Sequence, residues 1–315
     1  MLERQAGFPN VVLSFMIAGI ASREISVPHF QRRDFVASAL GFFGGVIPAW
    51  GGSGADAAFS EIEARLGGRV GLSVIDTGSG KTLSWRGGER FAMCSSFKWV
   101  LAASVLARAD KGELHLDDLI SYGPKQILPH APITGAHVKQ GHMRIEDLCA
   151  AAVEESDNTA ANLLLARIGG PASVTAYARS VGDHVTRLDR NEPSLNENRA
   201  HDPRDTTTPD AMVQTMKAVW TGDALSPPSR VKLLDWLKKC DTGSHRLRAG
   251  IPASWSEGDK TGTGDRGAAV DNAILWPPHR APILAAAYTS DSAKPTEQLE
   301  AALADLGRLI GARFA

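Results

Sequence analysis

The chain has 315 residues, with 34 basic and 35 acidic side chains and a net charge of −1. That length suits one large domain or two ordinary ones with a sizeable core. Balanced charge without a basic block gives no electrostatic footprint for nucleic acid or an anionic membrane, so a small-molecule ligand is expected.

In chain order, the first signal is Gln31-Arg32-Arg33-Asp34-Phe35-Val36, a twin-arginine pair followed by an aromatic. The apolar run from Phe35 to Trp50 contains glycines and leads to Ala55-Asp56-Ala57, a small-x-small cleavage pattern. It is too short, and too interrupted by Pro48, to span a bilayer. Residues 1–57 are therefore expected to be a leader read by the twin-arginine export machinery. Cleavage near Ala57 would deliver the chain to the periplasm. A second apolar stretch, Val11–Ile20, lies upstream of the arginine pair and fits a start codon placed too early.

Beyond the leader, Ala57–Leu66 has helical apolar spacing, and Arg69–Ile75 and Lys81–Trp85 read as the strands of a hairpin. From Ser95 to about Lys239 the pattern is helices and loops, with no convincing strand. Strand signals return at Ser254–Thr263, Ala268–Trp276 and Ile283–Tyr288, and Glu297–Ala312 is an apolar-striped helix. Helices placed between two halves of a sheet imply an insertion. The expected fold class is α+β, an antiparallel sheet flanked by helices. Residues 58–92 and 239–315 would form one α/β domain, and 93–238 an inserted all-α domain. Clefts tend to form at such seams.

Four short polar motifs carry the chemistry: Ser95-Ser-Phe-Lys98, Ser156-Asp-Asn158, Glu192-Pro-Ser-Leu-Asn196 and Lys260-Thr-Gly262. A serine hydroxyl needs a base before it can attack, and an acyl-enzyme needs an activated water before it turns over. Ser95 opens a buried helix, with Lys98 one turn on along the same face. A second Ser-x-x-Lys, Ser229-Arg-Val-Lys232, follows Ser226-Pro-Pro and reads as a capped helix start. Gly262-Thr-Gly-Asp-Arg-Gly267 satisfies a dinucleotide fingerprint but leads into a strand rather than a helix. Gly80-Lys81-Thr82 lacks the opening glycine of a P-loop and reads as a turn. Cys94, Cys149 and Cys240 are scattered, and the nine histidines include no ligand pair at helix-face spacing beside an acid, so neither metal nor cofactor is expected.

From about Ala58 to the C-terminus these motifs, with Asp205-Thr-Thr-Thr-Pro209 and Thr242-Gly-Ser-His-Arg-Leu-Arg248, resemble the class A serine β-lactamases. That family carries the Ser-x-x-Lys, Ser-Asp-Asn and Lys-Thr-Gly set. The resemblance implies a two-domain fold shared with penicillin-binding proteins, and β-lactam hydrolysis that confers antibiotic resistance. It assigns Ser95 as nucleophile, Lys98 as proton acceptor or relay, and the N–H groups of Ser95 and Thr263 as oxyanion donors. Ser156 would protonate the lactam nitrogen, and Asn158 would hold the substrate's acylamino side chain. Glu192 and Asn196 would hold and activate the hydrolytic water. Lys260 would supply positive charge near Ser156, and Thr261, Gly262 and Thr263 would line the carboxylate subsite with Arg246, for which a surface ion pair is the alternative. Arg190 and Asp205 resemble the ion pair that closes the loop carrying Glu192. His130 occupies a position usually aromatic at the cleft mouth; a plain surface histidine is the alternative. Relatives carry disulfides where this chain has Ala102 and Gly264, so both look absent. The competing readings are a penicillin-binding D-alanyl-D-alanine peptidase and a β-lactam sensor that stays acylated. Both lack the water site that Glu192 and Asn196 imply. A monomer is expected.

Overall fold

The computed structural model describes residues 53–315; the twin-arginine pair and the apolar run after it lie outside the described residues. The chain runs through α1 (Ser53–Leu66), β1 (Arg69–Asp76), β2 (Thr82–Trp85) and β3 (Phe91–Ala92) into a 3₁₀ turn at Cys94–Ser96 and then α2 (Phe97–Asp110). Next come β4 (Leu119–Ser121), α3 (Pro132–Ala136), β5 (His142–Arg144), α4 (Ile145–Glu154), α5 (Asn158–Ile168) and α6 (Pro171–Ser180). After a long loop follow β6 (Thr206–Thr207), α7 (Pro209–Thr221), α8 (Pro227–Lys238) and α9 (Leu247–Gly250). The chain closes with β7 (Ser256–Thr263), β8 (Ala269–Trp276), β9 (Ile283–Ser290) and α10 (Thr296–Phe314).

One sheet of order β2-β1-β9-β8-β7, antiparallel throughout, joins the first strands to the last. Its two faces are both covered, which explains the nearly continuous apolar run of β9. Ile283, Ala285 and Ala287 face a core built with α1 and α10, whose contributions include Phe59, Ile62, Leu303 and Ile310. Leu284, Ala286 and Tyr288 face the larger core, to which α2, α4, α5 and α7 contribute. Alternation at period two sends neighbouring residues to opposite faces. The helix-plus-antiparallel-sheet fold class matches the expectation.

Local chemistry sets the helix ends. Ser226 caps α8 by accepting from Ser229 N at 3.4 Å, with Pro227 following, so the second Ser-x-x-Lys is a cap. Ser229 Oγ donates to Asp110 Oδ1 at 2.6 Å, and Lys232 pairs with Glu146. Gly80, at φ +72°, sits in the β1–β2 turn, and Gly262–Gly267 runs from β7 into the turn before β8, so neither glycine motif is a nucleotide loop.

Two expectations shift. The segment read as strand-free contains β4, β5 and β6, which pair as β4 with β5 and β3 with β6. Strands of two or three residues cannot show a period, and their partners are set by tertiary packing. Ser53–Ala57, expected within the leader, form the first turns of α1.

Candidate active site

Ser95 lies in the 3₁₀ turn that feeds α2, and Lys98 follows in the first turn of that helix. Lys98 Nζ donates to Ser95 Oγ at 3.0 Å, and Ser95 Oγ donates to Glu192 Oε1 at 2.9 Å. Lys98 Nζ also lies 2.9 Å from Glu192 Oε1, with both side chains fully buried. Burial pushes the Lys98 pKa down to about 8, against the pull of the Glu192 carboxylate in the other direction. A hydroxyl flanked by a weakened ammonium and a carboxylate has two routes for its proton.

Ser156 and Asn158 converge on the same lysine. Lys98 Nζ donates to Asn158 Oδ1 at 2.6 Å, to Ser156 O at 2.7 Å and to Ser156 Oγ at 3.4 Å. The middle residue of the motif does the capping: Asp157 accepts from Ala160 N at 2.8 Å and also holds Ile133 N and Thr134 N at 3.0 and 2.9 Å. The cap therefore fixes the helix start and frees its two neighbours for the cleft.

Glu192 hangs on the loop between α6 and β6. Asn196 Nδ2 donates to Glu192 Oε2 at 2.6 Å, which fixes the carboxylate from the side away from Ser95. Arg190 Nε donates to Asp205 Oδ2 at 2.6 Å and Arg190 Nη1 to Glu197 Oε2 at 2.6 Å, so the loop ends are tied together. A residue not singled out in the sequence completes this support. Asn162 Nδ2 donates to Glu192 O at 2.9 Å, and Asn162 Oδ1 accepts from Glu192 N at 3.0 Å. The available signal is its place one turn after Asn158 on α5, which puts both asparagines on one helix face.

β7 supplies the opposite wall. Lys260 is buried, and its ammonium donates to Thr261 O at 3.1 Å; no hydrogen bond joins it to Ser156. Arg246 is also buried, and its Nη1 donates to Gly262 O and Val270 O at 2.8 and 2.6 Å while Nη2 donates to Thr263 Oγ1 at 2.7 Å. Its Nε lies 3.3 Å from Glu300 Oε1. Arg246 is thus an internal brace under β7 that keeps one edge on the cleft, rather than half of a surface ion pair. Thr242, within a quoted motif but given no role, hydrogen-bonds Thr261 through their hydroxyls.

A cleft of about 330 Å³ collects these groups: Ser95, Ser156, Asn158 and Asn196 on one side, and Thr242, Arg246, Thr261, Gly262 and Thr263 on the other. His130 stands at the rim, exposed, with Nε2 3.1 Å from Glu155 O. Lys98, Glu192 and Lys260 lie beneath the floor. Clefts of about 570 and 650 Å³ elsewhere are larger but hold no nucleophile with a base beside it.

Residues 55–314 match the family model described as the Beta-lactamase enzyme family. A carbapenem-hydrolyzing β-lactamase, KPC, of Klebsiella oxytoca is 47% identical over 252 residues, 80% of this chain and 86% of that protein. The chain belongs to the class A serine β-lactamases. A β-lactamase of Amycolatopsis lactamdurans is 44% identical over 80% of this chain and 82% of its own. The solved structure of the last common ancestor of Gram-negative bacteria class A β-lactamase superposes with a TM-score of 0.81 at 52% identity, covering 82% of this chain and 98% of that one. The protein is a β-lactam hydrolase of the kind that confers antibiotic resistance.

In this β-lactamase Cys94, Cys149 and Cys240 are all free and buried. Burial raises the thiol pKa of each, Cys94 to about 12, which keeps them protonated and unreactive. Among the described residues one group could gather around a metal ion: Glu257, Asp259 and Asp271, behind β7. Arg248 already occupies its charge, at 3.3 Å from Glu257 and 3.0 Å from Asp259. No helix among the described residues is long and apolar enough to cross a membrane.

Proposed function

We propose that the chain opens β-lactams through an ester on Ser95 and releases the product with water activated by Glu192. The carrying observation is the placement of Ser95 Oγ between Lys98 Nζ at 3.0 Å and Glu192 Oε1 at 2.9 Å. The Ser95 proton passes to one of these groups as Oγ bonds the lactam carbonyl carbon. The oxyanion that forms is held by the N–H groups of Ser95 and Thr263. The carbon–nitrogen bond then breaks, and Ser156 gives its proton to the leaving nitrogen. Lys98, 3.0 Å from Ser95 Oγ and 3.4 Å from Ser156 Oγ, relays the Ser95 proton to Ser156, replacing the one given to the nitrogen. Glu192 then removes a proton from water as the hydroxide attacks the ester, and passes that proton to the departing Ser95 Oγ. Asn196 Oδ1 is buried without a protein hydrogen-bond partner, which suits it to accept from that water. Arg246, Thr261 and Thr263 bind the substrate carboxylate, Asn158 its acylamino group, and His130 packs at the mouth. Lys260 and Gly262 shape the strand that presents them. No cofactor or metal enters.

Glu192→Ala tests the reading, because it leaves Ser95, Lys98 and the oxyanion donors in place. Loss of a positioned general base costs about 10²–10⁴-fold. Intact-protein mass spectrometry after mixing with a penicillin is expected to show one added substrate mass persisting for minutes. A folded variant that never acquires the adduct, or one that turns over at the wild-type rate, refutes the assignment.

The twin-arginine pair and the apolar run after it support export to the periplasm; we further propose a monomer with domain boundaries at 92/93 and 238/239. Replacing Arg32 and Arg33 with lysine is expected to retain the precursor in the cytoplasm. Full periplasmic activity in that double mutant would show another route.

A further inference from the structure

The cleft of about 570 Å³ shares no lining residue with the nucleophile's cleft. Its walls come from Arg69, the Glu89–Ala92 approach to the nucleophile, the Asn198–Pro203 end of the Glu192 loop, Arg266, and Ser290–Asp291 at the end of β9. Four arginines line it, Arg69, Arg90, Arg199 and Arg266, with His201 beside them, against the three carboxylates of Glu89, Asp202 and Asp291.

Those carboxylates are already engaged. Asp291 accepts from Arg69 Nε at 2.7 Å and Arg266 Nη2 at 2.9 Å. Glu89 takes Arg69 at 3.1 Å and also Arg86, from outside the lining, at 2.9 Å. Asp202 is chelated by Arg204, likewise outside the lining, with Nη2 at 2.7 Å. Arg90 meets no carboxylate among the described residues; its Nη1 donates to Thr206 Oγ1 at 2.9 Å and Val185 O at 3.2 Å. Arg69 is held by Arg90 O at 2.9 Å and lies 4.2 Å over the Phe91 ring. Arg69 and Arg90 are thus held in place by backbone and side-chain oxygens, while Arg199 is exposed and pairs with Glu197. The backbone is specialised too: Asn198 and His201, neither a glycine, sit at φ +43° and +60° on either side of Arg199 and Ala200. Such conformations collect at ligand clamps and switch regions. Asn198 Nδ2 stitches this corner to Asp265 O and Ser290 Oγ, each at 3.1 Å.

We propose that this cleft binds a compact multivalent oxyanion of the phosphate or pyrophosphate class, and that the bound anion steadies the loop carrying Glu192. Planar guanidinium groups match tetrahedral oxyanions with paired hydrogen bonds. Arg90 leads by two residues into Ala92 and the turn bearing Ser95, while Arg199 follows Glu192 by seven. An anion bridging these arginines ties the nucleophile's approach to the water-activating loop.

Calorimetric titration of the mature enzyme with pyrophosphate, inorganic phosphate and chloride at matched ionic strength tests this. One site per chain is expected, with pyrophosphate at least about tenfold tighter than phosphate and no saturable heat from chloride. Arg90→Ala and Arg199→Ala should each weaken pyrophosphate by about tenfold. Arg199 is exposed and pairs with Glu197 alone, so its variant keeps the test open if Arg90→Ala misfolds. Lys125→Ala, at an exposed lysine that does not line the cleft, should change nothing. The site is refuted if pyrophosphate gives no saturable heat below about 10 mM, or if its binding survives both arginine variants. Coupling to the loop is read from deacylation in pre-steady-state kinetics. A rate that saturating pyrophosphate changes in the wild type but not in Arg199→Ala supports it, and an unchanged wild-type rate overturns it.

Discussion

Lys98 is fully buried, yet it has acceptors on every donor: Ser95 Oγ, Ser156 O, Asn158 Oδ1 and the Glu192 carboxylate. Burial lowers its pKa to about 8 and Glu192 opposes that fall, so the lysine is a usable base only in proportion to its neutral fraction. Glu192→Gln removes the opposing charge and leaves Lys98 as the remaining side-chain base for acylation. Its pKa should then drop below about 8, and the acylation rate measured in single turnover should rise with pH along a limb displaced to lower pH. A ¹³C titration of labelled lysine would follow the same group directly. An acylation rate independent of pH between about 5 and 9 counts against Lys98 as acceptor, because a lysine titrating near about 8 changes its neutral fraction across that range. Much at this scale was legible from sequence, because Ser95, Lys98, Ser156, Asn158, Glu192 and Asn196 occur in spaced motifs. Asn162 was not. Its amide matches a backbone N–H and C=O thirty residues away, and nothing local marks that pairing.

The pairing of β7 with β8 creates a feature invisible in either strand alone. Register sets Asp271 opposite Thr261, beside Asp259 and Glu257, and one oxygen of each carboxyl is buried without a hydrogen-bond partner. Sequence gave the strands but not this register, so three separated acids looked like ordinary polar positions. Arg248 is the nearest cation, with Arg246 and Lys260 also facing the group from α9's start and β7. Burial raises all three carboxyl pKa values, Glu257 to about 8, and the charge of Asp259 adds to the rise at Glu257 and Asp271. An acid whose pKa is higher folded than unfolded holds its proton longer in the native state. Stability from this group is therefore full below the unfolded value of about 4 and is lost as pH rises toward about 8. Each proton so retained gives a slope of about 1.4 kcal/mol per pH unit within that window. Asp271→Asn removes one of the three charges while Oδ can still accept from Leu247 N, at 3.0 Å in the wild type. Urea unfolding from pH 5 to pH 9 should show the variant gaining on the wild type as pH increases. Parallel curves would mean that the carboxyls titrate as exposed ones do.

At the scale of the whole molecule, the active site depends on an interlock between the sheet and the helices inserted into it. Short apolar runs bounded by turn residues revealed the two halves of the split sheet, and helical apolar spacing marked the segment between them. The closeness of the fit at the seam arises only when distant segments pack. Opposite the turn bearing Ser95, a Cβ on Gly262 would lie 2.8 Å from Met93 O, 2.9 Å from Cys94 Cβ and 3.0 Å from Ser95 N. Two of these are backbone atoms, which cannot swing aside as a side-chain tip could. Gly262→Ala must therefore push β7 and the nucleophile turn apart by a fraction of an ångström, separating the N–H groups of Ser95 and Thr263 that we assign to the oxyanion. Misplacement on the order of 1 Å can cost about 10²-fold in rate. The acylation component of kcat/KM for a chromogenic cephalosporin should fall by about that factor. The melting temperature should move much less, because Gly262 and Cys94 belong to neither of the two large hydrophobic cores. Gly88→Ala, where an added Cβ meets nothing within 4 Å, is the matched control and should leave the rate unchanged. If Gly262→Ala acylates as fast as the control, the seam tolerates a methyl group and its tight fit is not what positions the oxyanion donors.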